Sequence, residues 1–519
     1  MDEQTSLFPS LPDIDAACSK TPAPAEAPRV LMAERNQIAL RPLDLEATVG
    51  PEHAVRNVWA FVERLDLSAL YAEIGSVEGG AGRPAIDPKI VMALWLYATV
   101  DGVGSAREIE RLTESHDAYR WICGGVNVNH HTLSDFRCAR VDVLDELLTE
   151  SVAGLMGKGL GQLERVAQDG MWGCASAGAG SFRRRSTLKR CLKQARAQIQ
   201  ALKGEIDADP NASERRRRAA RQRAAREREA RLTQALEQLA KQKNKKKGAA
   251  KKQNETEEQY RKRSEPRASS TDGEARVMKM ADGGFRPAYN VQWASTPDSQ
   301  IIVGVEVNNC GSDGGQLSPM LKQVQKRYQQ RPVEWLADGG FASDADIEQA
   351  HRGGTTVYAP VRHPRDPSRD PYLALPDDSE ALAQWRQRMG SKAAQEIYKQ
   401  RAATAECVNA IARGRGLSQF LVRGLQKVKA VALWYALAHN LMRAFQLDAG
   451  IARDKRRPRK RTALYRILTM KTLRFLLIRA LQGSYLGVHF SGQVQTGRWA
   501  PCPGRAGVQL VRFPSRLRT

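Results

Sequence analysis

A five-residue phrase occurs twice, as Ala281-Asp282-Gly283-Gly284-Phe285 and as Ala337-Asp338-Gly339-Gly340-Phe341. The second copy closes the apolar run Val333-Glu334-Trp335-Leu336. A carboxylate followed by two glycines at a strand end is held by the scaffold while the backbone beside it stays open. A sheet presents an acid to a metal ion or a phosphate in this way. An earlier stretch, Leu163-Glu164-Arg165-Val166-Ala167-Gln168-Asp169-Gly170, ends similarly. Any single Asp-Gly usually marks only a turn. Several acids at strand ends, however, point to a metal-dependent nuclease core.

Charge narrows the partners. Lys and Arg total 81 against 57 acids in 519 residues, a formal charge of +24. Such an excess calls for a polyanion, and nucleic acid is the usual one. Between residues 183 and 263 there are 27 basic and 10 acidic residues, too lopsided for an ordinary solvated face. Apolar residues make up 42% of the chain, enough for real cores. The eight cysteines are scattered with no C-x-x-C pair, which argues against structural zinc and a disulfide framework and for a reducing cytoplasm. No run of 18 apolar residues is present, so no membrane partner is expected.

Residues 1–40, acidic and Pro/Ala-rich at first and without an apolar signal core, read as a disordered leader. Residues 41–155 read as a helical, helix-turn-helix-like DNA-binding domain. There Asp87 caps a helix opening at Pro88, Ser105 caps a second helix, and Thr132 and Ser134 cap a third bearing Arg137 and Arg140. An ordinary helical bundle is the competing reading of this segment. Within 183–270 lies a basic helical insertion, with seams Leu188, Leu192, Ile199, Leu202 and Leu232, Leu236, Leu239 broken at Pro210-Asn211. The spacing predicts a helical hairpin over DNA phosphates with a hinge near 244–254.

Strand patterns follow at Tyr289 to Ala294, Ile301 to Val307, Val333 to Ala337 and Thr355 to Ala359, with helices at Ser318 to Tyr328 and Asp344 to Ala350. This is an α/β pattern, a mixed sheet with helices packed on it. Residues 362–378 read as a loop, and Ala394 to Arg413 and Val422 to Phe445 as helices. Residues 447–519 form a basic tail whose order the sequence does not define.

Phosphoryl transfer without a protein nucleophile calls for two divalent cations about 3.5–4 Å apart, flanked by carboxylates. Asp169 and Asp338 are the strand candidates. Asp282 competes with Asp338, although Met278-Lys279-Met280 before it is short and poorly strand-like. For a helical acid, Tyr398-x-x-Arg401 precedes Glu406, and Arg413, seven residues beyond, falls on the same helical face.

These phrases resemble those of bacterial insertion-sequence transposases of the DDE class. The resemblance is carried by Val166 to Gly170, Ser181-Phe182-Arg183-Arg184-Arg185, Met278 to Asn290, Ala337 to Phe341 and Leu421-Val422-Arg423-Gly424-Leu425. Ile86 to Arg137 resembles their helical DNA-binding domain. The resemblance implies an RNase H-like core over 156–446 with Asp169, Asp338 and Glu406 as catalytic and metal-binding acids. Tyr398, Arg401 and Arg413 would stand in the related Y-x2-R-x3-E-x6-K signature and, with Arg137, Arg183, Arg184 and Arg185, address DNA. It implies Mg²⁺ (with Mn²⁺ substituting), terminal inverted repeats and target DNA as duplex partners, a homodimer on DNA, and a cytoplasmic, nucleoid-associated location. Two departures stand out. Four residues rather than three separate Arg401 from Glu406, so on a continuous helix Glu406 would point about 140° away; and Arg413 replaces the lysine, keeping a phosphate-binding cation. An inactive, DNA-binding descendant and an RNA-processing nuclease are the alternative readings.

Overall fold

The computed structural model describes residues 44–76, 84–208, 212–243, 256–258, 260, 265–364, 366 and 368–456. The expected leader, the break at Pro210-Asn211, the hinge near 244–254 and the tail beyond 456 lie outside these residues.

The N-terminal helices are set by their caps. Helices α1 (Ala54–Val62) and α2 (Ser68–Tyr71) precede α3 (Pro88–Asp101), where the Asp87 side chain accepts the Lys89 N–H and Pro88 occupies the first turn. Helix α3 is buried continuously from Ile90 to Ala98 and ends on Gly102 at φ 79°, a left-handed position that suits glycine. Ser105 caps α4 (Ala106–Ser115), as its spacing predicts. Helix α5 (Asp117–Cys123) follows, then α6 (His130–Ala139) and α7 (Val141–Gly157). The cap of α6 is Asn129, which accepts the Thr132 N–H at 2.9 Å. Thr132 and Ser134, expected as caps, lie inside the helix.

Strand β1 (Arg165–Cys174) is paired on both sides. Short strands β2 (Phe182–Arg183) and β3 (Ala268–Ser269) pair with each other and clip the roots of the basic insertion. Between them run α8 (Arg185–Ala208) and α9 (Ala212–Lys243), whose apolar seam contains Leu188, Ala195, Leu232, Ala235 and Leu239. This is the expected helical pair. Helix α9 lies so close to Gly273 that a Cβ there would meet the Ala235 backbone nitrogen at 2.9 Å.

Strand β4 (Arg276–Lys279) forms although its sequence is poorly strand-like, because it pairs with the long β5 (Phe285–Ser295). Strands β6 (Ile302–Asn308), β7 (Glu334–Leu336) and β8 (Thr356–Tyr358) complete the sheet. The order is β4-β5-β1-β7-β8 with β6 on β5; β1, β5 and β6 run antiparallel, β1, β7 and β8 parallel. Helices α10 (Leu317–Tyr328) and α11 (Asp344–Arg352) occupy the connections after β6 and β7. The chain continues through α12 (Glu380–Met389), α13 (Lys392–Arg401), α14 (Cys407–Ala412) and α15 (Leu425–Arg456).

Helix α15 ties several parts together. Trp434 Nε1 donates to the Arg137 carbonyl at 3.1 Å, Tyr435 Oη to Val408 O at 3.1 Å, and Asn440 accepts the Ile302 N–H at 2.7 Å. One apolar core extends from Val49 through the sheet to Leu441. Among the described residues no helix is long and apolar enough to cross a membrane.

Candidate active site

Register brings two of the acids together. Ala167 pairs with Leu336 in the parallel β1–β7 ladder, so Asp169 and Asp338 each stand two residues beyond the last pair. Asp169 does not end its strand, as its Asp-Gly suggests: β1 continues to Cys174. Gly170 serves close approach rather than a turn, since a Cβ there would meet Asp313 Oδ1 at 2.5 Å and Gln292 Nε2 at 2.6 Å. Asp338 does leave its strand, and its Oδ1 accepts the Gly339 N–H at 2.5 Å.

The helical acid arrives through a local change of helix type. The expected continuous helix from 394 to 413 is interrupted by a π segment over Ala402–Glu406. A π turn accommodates one extra residue, so position i+5 takes the place that i+4 holds in an α-helix. Glu406 therefore does not point away: Arg401 Nη1 donates to Glu406 Oε1 at 3.2 Å. The surplus residue in the Arg401–Glu406 spacing is absorbed here. The segment is braced from outside by Gln300 and from within by Thr404. Gln300, at φ 57°, donates from Nε2 to the Ala403 carbonyl at 2.9 Å, and the Thr404 hydroxyl donates to Gln400 O at 2.7 Å. These bonds engage carbonyls where the α-helical pattern is disturbed.

Arg401 is the hub of the site. Its guanidinium lies 3.4 Å from Asp169 Oδ1, 3.8 Å from Asp338 Oδ2 and 3.2 Å from Glu406 Oε1. Its side chain is only 10% exposed and that of Asp169 15%, whereas Asp338 (58%) and Glu406 (61%) open to solvent. Burial pushes the Asp169 carboxyl above the ordinary carboxylate range; Arg401 and the Gly170 N–H pull it down, and the charges of Asp338 and Asp313 add to the rise. Burial disfavours the Arg401 charge, but Asp169, Tyr398, Asp338 and Glu406 outweigh it and hold the guanidinium more firmly protonated. Tyr398 is half-buried beside this cluster, and burial raises its phenol.

The remaining sequence candidates lie elsewhere. Asp282, the competitor of Asp338, sits in the β4–β5 turn, where it accepts the Gly284 N–H at 3.0 Å and pairs with Arg286 at 2.6 Å. Arg413 is exposed and begins a second π segment, Arg413–Leu417. Arg137 is not presented at a surface: it is 8% exposed, its guanidinium lies 4.8 Å from the Trp95 ring centroid, and Nη1 donates to Gly104 O at 2.6 Å. Packing between α3 and α6 has taken the cation that the sequence assigns to DNA. Arg183 and Arg185 are exposed at the root of the α8–α9 pair, and Arg184 pairs with Glu265 at 3.4 Å.

Two residues at the site were not among the sequence candidates. Asn409 on α14 donates from Nδ2 to Asp169 Oδ2 at 2.9 Å; its spacing of three from Glu406 on a helix was the available clue. Asp313, in the loop before α10, accepts from Asn290 Nδ2 at 2.8 Å and Gln292 Nε2 at 2.7 Å.

Among the described residues, no group of three or more His, Cys, Asp or Glu side chains lies close enough to hold a metal ion; the guanidinium of Arg401 stands between the acids. The donors nonetheless suit a hard divalent cation in kind, being carboxylate oxygens joined by the buried Asn409 carbonyl, which has no hydrogen-bond partner among the described residues.

Two family models match the chain: a transposase domain (DUF772) over residues 43–139 and a transposase DDE domain over residues 371–445. The first covers α1 to α6, and the second contains Tyr398, Arg401, Glu406, Asn409 and Arg413. Both matches are to transposase domains, and together they support an insertion-sequence transposase of the DDE class. No curated protein and no solved structure matches it.

Proposed function

We propose that the protein cleaves DNA at the terminal inverted repeats of an insertion sequence and joins the freed end to target DNA, with Asp169, Asp338 and Glu406 holding Mg²⁺, or Mn²⁺ in its place. The observation that carries this reading is the convergence of the three acids, from two strands and one helix, on Arg401. The strand order β6-β5-β1-β7-β8, antiparallel on one side of β1 and parallel on the other, supports an RNase H-like core.

Bound divalent ions would polarise the attacking oxygen and stabilise the leaving one. The acids of this chain supply the negative field that such ions require. Arg401, already protonated at their centre, is placed to turn its guanidinium to a phosphate once that field is neutralised. Tyr398 walls the cluster, and exposed Arg413, Arg183 and Arg185 offer phosphate contacts that position the duplex without reading its sequence. Phosphodiester exchange needs no external energy: water cuts one bond to leave a 3′-hydroxyl, and that hydroxyl displaces a second 3′-oxygen in the target. Bringing two element ends together calls for a homodimer.

The test is cleavage of a labelled duplex carrying the element's own end, with Mg²⁺ or Mn²⁺, by wild type and by Glu406→Gln. Cutting by wild type alone is expected. Cutting by both removes Glu406 from the site, and cutting by neither, with DNA still bound, overturns the enzymatic reading.

A further inference from the structure

Asn409 combines two features that a merely structural amide would not need. It is 3% exposed and spends its Nδ2 on Asp169 Oδ2 at 2.9 Å. Its Oδ1 is equally buried yet has no hydrogen-bond partner among the described residues. An unsatisfied buried carbonyl costs free energy and calls for a reason. The other oxygen of Asp169 already accepts the Gly170 N–H at 2.9 Å and faces Arg401 at 3.4 Å. Asn409 thus engages the one oxygen of Asp169 that this cation leaves free.

We propose that Asn409 is a fourth, uncharged oxygen ligand of the site, whose carboxamide turns end for end when a divalent ion is held by Asp169. Rotation about the Cβ–Cγ bond exchanges Nδ2 and Oδ1, which occupy nearly the same space. Without a cation, the turned amide would set its carbonyl oxygen against a carboxylate oxygen, and the two would repel. With a hard cation between them the same pairing becomes attractive. The amide is therefore a donor to Asp169 in the ion-free protein and an oxygen ligand beside Asp169 in the loaded one. Its place on α14, three residues after Glu406, lets one helix present both. This inference rests on the reading of Asp169 as an ion-holding acid.

The test is calorimetric titration of the full chain with Mg²⁺, Mn²⁺ and Cd²⁺ alone, needing neither DNA nor turnover. Asn409→Leu, which removes both polar atoms, is expected to weaken Mn²⁺ by about 10–100-fold. Asn409→Cys replaces a hard oxygen by a soft sulfur, so it should weaken Mg²⁺ and shift preference toward Cd²⁺ by at least about tenfold relative to wild type. An unchanged Mg²⁺/Cd²⁺ ratio in Asn409→Cys overturns the proposal, even where Asn409→Leu fails to fold. Asp169→Asn separates the two levels of the argument. Wild-type binding that this variant weakens, with Asn409→Cys unaltered, removes Asn409 alone. A wild type that binds no ion, or binding indifferent to Asp169→Asn, removes the active-site reading and Asn409 with it.

Discussion

Arg401 and Glu406 are hydrogen-bonded at 3.2 Å although they stand five positions apart on consecutive helical segments. The π segment between them makes this possible. Deletion of exposed Ala403 should convert the segment to an ordinary α-turn with Glu406 still beside Arg401, and DNA cleavage should stay within about tenfold of wild type. An alanine inserted after Ala403 should instead turn Glu406 aside and abolish cleavage. The gel assay on element ends checks both, and equal activity in the two variants would refute the register argument.

Arg401→Ala leaves the carboxylate of Asp169 buried without its cation. Removing one partner of a fully buried pair costs about 3–5 kcal/mol. Because Asp338 and Glu406 are exposed, we expect about 2–3 kcal/mol here. Chemical denaturation at pH 7 measures the loss, and Asp169→Asn in the same background should recover part of it. Absence of recovery would mean that the guanidinium stabilises through something other than Asp169.

His439 gives a pH dependence whose sign is fixed by burial. Desolvation lowers its imidazole to about 4; the bond to the Gln300 carbonyl opposes this, and nearby Arg415 and Arg443 depress it further. In the unfolded chain it titrates near 6.5, so between these values the unfolded state binds more protons and stability rises with pH. The contribution is fully present above about 6.5 and is lost as pH falls through about 4, at most about 3 kcal/mol. His439→Gln should flatten that part of the stability profile; an unchanged slope would refute the assignment.

Gly170→Ala should destabilise the protein by about 1–3 kcal/mol, because the new Cβ would strike Asp313 and Gln292 across β1. Shortening the obstacle with Asp313→Ala should restore part of the melting temperature. Additive losses in the double variant would show that the strain lies elsewhere.

Arginines at opposite settings should separate in a salt titration of DNA binding. Replacing exposed Arg183 and Arg185 together by alanine is expected to reduce the salt slope by about 2, while affinity falls similarly for all sequences. Arg137→Ala should leave the slope intact and lower the melting temperature, since its partners are Trp95 and Gly104.

How much of this was legible depended on how local each cause is. Asp87 with Pro88, and Ser105, announce helix starts because their caps act within a few residues. The basic helical pair was visible from its leucine spacing. Strand β4 was not, because Arg276 to Lys279 becomes a strand only through pairing with β5. Helix α12 was missed behind a Pro- and Asp-rich loop; buried Leu382 and Trp385 define its inner face only once β8 is in place. At the site, Asp169 and Asp338 followed from Asp-Gly phrases, with Asp338 preferred to Asp282 because Met278-Lys279-Met280 is poorly strand-like; that the two acids stand side by side needed the parallel register of β7. The π segment had no signal in its composition, since Ala402 to Glu406 could belong to any helix; only the surplus residue between Arg401 and Glu406 hinted at it.

The π segment also bears on how such proteins diverge. A single-residue insertion in a helix ordinarily rotates everything after it by about 100°, which purges it wherever the next side chain matters. Ala402–Glu406 shows a backbone that stores the extra residue as a bulge and passes the downstream direction on unchanged. Lineages carrying such a bulge can drift in spacing while keeping chemistry, so motif searches that count residues will score them as broken when the side chains still meet.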